Sequence, residues 1–136
     1  MVKLIVGNKG SGKTKKLIDM ANEAVKTTKG NVVCVEKGLK LTYDLDYAVR
    51  LVDIENYNIH YYDNLYGFLA GLFAGNYDIT EVFVDATFKI AGKNPLEFAA
   101  LVEKVAGLVS ENGANITFTV SCDASELPEG MHQYMI

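Results

Sequence analysis

The chain of 136 residues holds a single arginine, Arg50, beside twelve lysines, and carries a net charge of −4. No run of basic residues offsets that acidity, which argues against non-specific nucleic-acid binding through phosphate neutralisation. Only two cysteines are present, Cys34 and Cys122, each in an apolar run that reads as a strand. They are expected to be buried, reduced thiols. Two cysteines and two histidines make no obvious four-ligand set for structural zinc. His60 and His132 have no triad or metal partner in view and are expected to be structural or surface residues. Long apolar runs are missing as well. The longest apolar helix candidate, Leu65–Ala74, falls far short of the ~20 residues a membrane-spanning helix needs. The stretch Val2–Val6 is too short for the apolar core of a secretory signal and runs straight into glycines. These absences predict a cytoplasmic protein. Repeats, linkers and low-complexity segments are also lacking, so residues 1–136 are expected to form one domain. A domain of this length buries roughly two-thirds of the surface its unfolded chain exposes. It has no need of disulfides or a metal to fold.

What is present alternates short β-rich runs with longer helical ones, the pattern of an α/β protein with a parallel sheet. The expected architecture is a three-layer α/β/α sandwich around a mainly parallel sheet of about five strands. Val2–Val6, Asn31–Glu36, Asn58–Tyr62, Glu81–Asp85 and Asn115–Val120 read as the strands. The helices are read at three places. The first covers Gly12–Thr27, with Leu17, Met20, Ala21, Ala24 and Val25 on one face. The second is capped by Asp63 and buries Leu65, Phe68, Leu69, Leu72 and Phe73. The third opens at Asn94-Pro95 and closes at Gly113, with a stripe from Phe98 to Val109. Gly67, Gly71 and Gly75 fall four apart on the second helix, and close helix-to-sheet packing is expected there. The segment 37–56 is ambiguous. A short helix over Leu45–Leu51 capped by Asp44 is favoured, with a strand over Ala48–Ile54 as the alternative. The tail, Ser121–Ile136, is read as a short helix or a last edge strand.

Gly7-Asn8-Lys9-Gly10-Ser11-Gly12-Lys13-Thr14 fits the P-loop pattern G-x-x-x-x-G-K-[ST], directly after an apolar strand and directly before an amphipathic helix. Such a loop wraps backbone N–H groups around phosphate oxygens, so side chains are dispensed with where the backbone comes close. Gly7 lets the chain turn out of the strand, and Gly10 and Gly12 allow the close approach. Lys13 is expected to reach the β- and γ-phosphates of a nucleoside triphosphate, and the Thr14 hydroxyl to ligate Mg²⁺. The helix that starts here turns its partial positive charge toward the anion. Lys9 does not stand directly after the first glycine, where Asn8 sits, and is expected to be solvated. Val82-Phe83-Val84-Asp85 has the form of the partner motif, a buried strand ending in a carboxylate that reaches the Mg²⁺ shell.

On these residues the chain resembles the P-loop NTPase superfamily, and in its layout the RecA-like branch, thymidine kinases in particular. The corresponding pieces are GNKGSGKT, NVVCVE, the segment Asp44–Arg50, NIHYYD and VFVDATF. Thymidine kinases place a catalytic Glu straight after the Asp of the second motif, where this chain has Ala86, and they carry a zinc-binding lasso for which no cysteines exist here. With the usual base missing, Glu36 is a candidate to act as base or to position water, since it ends the second strand at the edge where α/β sheets bind ligands; otherwise it is a loop charge. Asp123 is a second candidate, as a γ-phosphate sensor. Arg50 is the sole internal candidate for an arginine finger, or else a surface residue. Lys89 and Lys93 are read as solvated lysines or contacts to a second substrate, and Glu97 as a helix-dipole charge.

Three functions follow. The preferred one is a small ATP-binding protein with slow or partner-stimulated hydrolysis, in which Lys13, Glu36 and Asp85 carry the chemistry with Mg²⁺. The second is a small-molecule kinase of the nucleoside or nucleotide type, with Tyr43, Tyr47, Tyr61, Tyr62 and Tyr66 available to stack a base. The third is a non-enzymatic nucleotide switch or assembly subunit. ATP is preferred over GTP because no guanine-specifying N-K-x-D stretch occurs. The RecA-like resemblance implies that a protein partner or a second copy of the chain can supply an arginine.

Overall fold

The computed structural model describes residues 1–136. Five strands, β1 (Val2–Gly7), β2 (Asn31–Glu36), β3 (Val49–Asp53), β4 (Ile79–Val84) and β5 (Asn115–Ser121), form one sheet. Their order is β1-β5-β4-β2-β3, and every pairing is parallel. The helices are α1 (Lys13–Thr27), α2 (Tyr62–Gly75), α3 (Thr87–Ala91) and α4 (Pro95–Asn112). No helix is long and apolar enough to cross a membrane.

Both faces of the sheet are covered, as a parallel sheet requires. Alternate residues of each strand divide between two cores. Leu4, Val33, Val35, Val82, Val84, Ile116 and Phe118 face one side, where Leu65, Leu69 and Phe73 of α2 and Phe98, Val102 and Val105 of α4 cover them. Ile5, Val32, Cys34 and Phe83 face the other side, beneath Leu17 and Ala21 of α1 and beneath Leu41 and Leu45. The architecture is therefore the expected three-layer α/β/α sandwich. Phe98 links α4 to the sheet through an edge-to-face contact with Phe118, centroids 5.7 Å apart.

Helix α4 opens and closes where its sequence says. The Asn94 side chain accepts the Glu97 N–H at 3.1 Å, Pro95 takes the first turn, and Gly113 ends the helix at φ 61°. Asn94→Ala is expected to cost about 1 kcal/mol. For a domain of this size that lowers the melting temperature by roughly 2–6 °C, read by thermal unfolding followed by circular dichroism.

Four local expectations are corrected. Leu45–Leu51 is no helix: the edge strand β3 runs through Val49–Asp53, because its backbone pairs with β2 from Val32↔Val49 to Glu36↔Asp53. The turn before it is clamped to α1 by Asn22, whose amide donates to Asp44 O at 3.0 Å and accepts the Asp46 N–H at 2.7 Å. Asn58–Tyr62 is no strand, and His60 therefore lies in a connection. A 3₁₀ turn over Ile54–Tyr57 ends at Asn58 in the left-handed region, φ 56°. The Asn64 side chain then accepts the N–H groups of His60 and Tyr61 at 3.3 and 2.9 Å, so α2 begins at Tyr62 rather than after an Asp63 cap. Gly67, Gly71 and Gly75 face solvent, with open space where a Cβ would stand, and so make no close contact with the sheet. α3 places Lys89 on a short helix, and Lys93 lies in the connection between α3 and α4. Both cysteines are buried and free, as expected, though Cys122 lies just beyond β5. The tail holds two 3₁₀ turns, Ala124–Glu126 and Glu129–Tyr134, and then lies beside β1 with Ile136 N–H donating to Leu4 O at 3.0 Å.

Candidate functional site

Parallel strands bring their C-terminal ends to one edge of the sheet, and that edge collects the polar ends of β1, β2, β4 and β5. From β1 the chain turns through Gly7, where an added Cβ would collide with the Ser11 hydroxyl. Gly10 and Gly12 adopt φ 84° and 85°, a left-handed conformation that favours glycine. The turn is closed by Ser11 N–H donating to Asn8 O at 3.1 Å. The first bond of α1 runs from Lys16 N–H to Gly12 O at 3.1 Å, leaving the N–H groups of Lys13, Thr14 and Lys15 without a helical acceptor. Lys13 Nζ folds back onto Asn8 O at 3.0 Å.

Asp85 follows β4 and is 6% exposed. The Thr14 hydroxyl donates to its carboxylate, 3.2 Å from Oδ1 and 3.4 Å from Oδ2. Thr119 of the intervening strand β5 holds the carboxylate from below. Its hydroxyl donates to Asp85 Oδ1 at 2.8 Å and accepts the Ala86 N–H at 2.6 Å. Ala86 itself is left-handed at φ 53°, a conformation that costs a non-glycine residue about 1–2 kcal/mol and swings the chain out of β4 directly after the carboxylate. No feature of the sequence marked Thr119, because a threonine in a buried strand has an ordinary packing role.

Glu36 ends β2 and is 4% exposed. Its Oε2 accepts the Leu41 N–H at 3.2 Å. Burial pushes its pKa above the ordinary glutamate value; the Leu41 N–H pulls it back in part, and the Asp85 carboxylate pushes it further up. The Cys34 thiol, also on β2, is pushed far up by burial, with Asp85 and Glu36 adding to the shift, and stays protonated.

Gly10, Gly12, Thr14, Glu36, Asp85 and Thr119 line a cavity of about 360 Å³. Six lysines face it, Lys9, Lys13, Lys15, Lys37, Lys40 and Lys89, against the carboxylates Glu36 and Asp85. Half of the chain's lysines are thus gathered from the glycine loop, the segment after β2 and α3, although no basic run exists in the sequence. Lys15 is paired with Asp19 at 2.6 Å and Lys37 with Glu55 at 3.9 Å. Lys37 and Lys40 were legible in principle, since they follow a strand at its C-terminal edge. Gly7, Asn8 and Ser11 shape the loop without lining the cavity; Lys9 is exposed, as expected, and also lines it.

Other candidates lie elsewhere. Asp123 accepts Ser125 N–H and Oγ–H, both at 3.0 Å, and caps the turn Ala124–Glu126; those bonds hold its pKa below the ordinary aspartate value. Arg50 is exposed on the edge strand β3, in a groove beside α2 that shares no residue with the cavity. Lys93 pairs with Glu126 at 3.8 Å, and Glu97 stays in the first turn of α4. None of the five candidate tyrosines lines the cavity. Tyr62 is buried and donates to Gly92 O at 2.6 Å, Tyr66 lies under the Lys104 ammonium at 5.1 Å, and Tyr43 and Tyr47 are 98% and 99% exposed. His132 is exposed, with its ring at 3.2 Å from Ala124 O.

The cavity thus gathers six ammonium groups beside one hard-oxygen corner, Thr14 and Asp85. No group of three or more His, Cys, Asp or Glu side chains is placed to hold a metal ion. A divalent cation at that corner would need further oxygen ligands from an anion or water. No protein-family model matches the chain, and no curated protein matches it in sequence.

Proposed function

We propose that this chain is a P-loop NTPase of the RecA-like kind that binds Mg-ATP at Gly7–Thr14 and hydrolyses it slowly. The observation that carries the reading is the Thr14 hydroxyl at 3.2 Å from the buried Asp85 carboxylate, in a cavity that Lys13 and the loop glycines Gly10 and Gly12 also line. The free N–H groups of the glycine loop and the Lys13 ammonium hold the phosphates. Thr14 and Asp85 would hold Mg²⁺; their hydroxyl and carboxylate are hard oxygen donors, and a metal with few protein ligands beside phosphate is the usual Mg²⁺ arrangement. A Mg²⁺ held there would supply positive charge to offset that of the phosphates during phosphoryl transfer.

Glu36 supplies the base that position 86 lacks. Its Oε2 is held by Leu41, leaving Oε1 to take the proton of the attacking water. Burial raises its proton affinity above that of an ordinary glutamate, which favours a general-base role. All the cations that line the cavity are lysines, and the one arginine lies in a separate groove, in keeping with slow unaided turnover. The kinase reading loses its proposed stacking surface, because no tyrosine lines the cavity.

Phosphate release from Mg-ATP tests the assignment. Glu36→Gln is expected to lower turnover by at least about tenfold while changing nucleotide affinity less than about threefold. Unchanged turnover would remove Glu36 from the mechanism. The same variant has a stability signature. Because the folded-state pKa of Glu36 lies above its unfolded value, ionising it costs the folded protein free energy. Wild-type stability from this group is therefore present below the ordinary glutamate range and lost as pH rises through the raised value. Glu36→Gln is expected to melt higher than wild type at pH 8, with the gap narrowing toward pH 4. A gap independent of pH would contradict the raised pKa.

A further inference from the structure

A recess of about 460 Å³ is lined by Lys37, Gly38, Lys40, Glu55 and Lys89. Lys37, Lys40 and Lys89 also line the main cavity, so the two spaces share three lysines. No residue of Gly7–Thr14 reaches the recess, and no apolar side chain lines it.

The charges there are only partly matched. Lys37 has Glu55 at 3.9 Å, an exposed pair of small energetic weight. Lys40 and Lys89 have no carboxylate oxygen within 4.0 Å, although acidic residues outnumber basic ones in the chain, 17 to 13. Two unpaired cations from separate elements therefore converge on one polar space. Their support is fixed. Gly38 turns the chain at φ 95°, and its N–H donates to Asp53 Oδ1 at 2.8 Å. Three residues on, Leu41 N–H donates to Glu36, and the Leu41 side chain is 5% exposed beneath the loop. Lys37 and Lys40 thus project from a backbone pinned at both ends, next to the buried Glu36 carboxyl.

We propose that this recess is a subsite for a second anion, a small molecule bearing a phosphate group, held by Lys37, Lys40 and Lys89 while a triphosphate occupies the main cavity. The all-polar lining fits recognition of the phosphate itself rather than of an attached ring. The simultaneous occupancy rests on the nucleotide reading given above; the anion subsite does not. The terminal phosphate of the nucleotide is the other source of the same chemistry, and the test separates the two.

Inorganic phosphate is titrated by calorimetry, at constant ionic strength, into protein saturated with a non-hydrolysable Mg-ATP analogue. Wild type is expected to bind phosphate saturably. Lys40→Ala/Lys89→Ala is expected to lose that binding by at least about tenfold. Its affinity for the analogue should stay within about threefold, and its melting temperature should match wild type because both side chains are exposed. Absence of phosphate binding to loaded wild type overturns the proposal. So does a tenfold loss of analogue affinity in the double variant, which would give these lysines to the nucleotide. If the analogue fails to bind wild type at all, the nucleotide reading falls alone. Phosphate titrated into the free protein then decides: loss of binding in the double variant supports the subsite, and loss only in Lys13→Ala overturns it.

Discussion

Lys13→Ala is expected to weaken Mg-ATP binding by about 100-fold or more, which corresponds to about 2.7 kcal/mol. Charge-assisted hydrogen bonds contribute roughly 1.5–3 kcal/mol each, and an ammonium between two phosphates makes more than one. Within the protein the same ammonium makes a single bond, to Asn8 O, and no ion pair. Its loss should therefore leave the melting temperature of the nucleotide-free protein within about 2 °C of wild type. That contrast is the useful part of the prediction. A residue that served only to order the loop would lower the melting temperature along with affinity. Calorimetric titration and thermal melting of the same preparation read both quantities. Affinity within about threefold of wild type would remove Lys13 from the site.

Asp85→Asn is the second large effect. Asparagine preserves the shape and can still accept the Thr119 hydroxyl through Oδ1, so the bonds from Thr119 to Asp85 and from Ala86 to Thr119 survive. What disappears is the negative charge beside Thr14. Wild type is expected to bind ATP at least about tenfold more tightly with Mg²⁺ than with a chelator present. In Asp85→Asn that ratio is expected to collapse toward one, and turnover to fall by about 100-fold or more. The nucleotide-free variant is expected to be as stable as wild type or more so, because it no longer places a second carboxylate near Glu36. A Mg²⁺ dependence equal to wild type would place the metal elsewhere.

The parts of the fold that sequence disclosed are those where local chemistry and tertiary demand agree. Asn31–Glu36 is a valine-rich run buried on both faces, and it is a strand from end to end. Helix α4 carries its own start and stop signals. Agreement failed where a tertiary partner outbid local preference. The Leu45–Leu51 stretch was read as a short helix with a strand as the alternative, but the edge of β2 offered it a ladder of hydrogen bonds. Asn58–Tyr62 looked like a strand until the Asn64 side chain claimed two of its backbone donors. The outward-facing glycines of α2 show a spacing that carried no packing message.

The site divides the same way. The glycine loop and Asp85 were readable because close backbone approach and a strand-terminal carboxylate each leave a local signature. Glu36 was readable from the edge rule, and the fold places it in the cavity while sending Asp123 and Arg50 away. Lys13 and Lys89 were singled out one by one, but their gathering with Lys9, Lys15, Lys37 and Lys40 was not, since the six come from three separate stretches of chain and meet only when the strand ends converge. Net charge was a poor guide for that reason: an overall charge of −4 coexists with six lysines around one cavity.

The most direct test of the central claim is a backbone-amide NMR titration of the protein with Mg-ATP. The account predicts saturable shifts of the Gly10, Gly12, Lys13 and Thr14 amides, with Asp85 and Ala86 following, and none along the groove between α2 and β3. Amides of Gly7–Thr14 that stay in place at saturating nucleotide, or shifts confined to that groove, would contradict it.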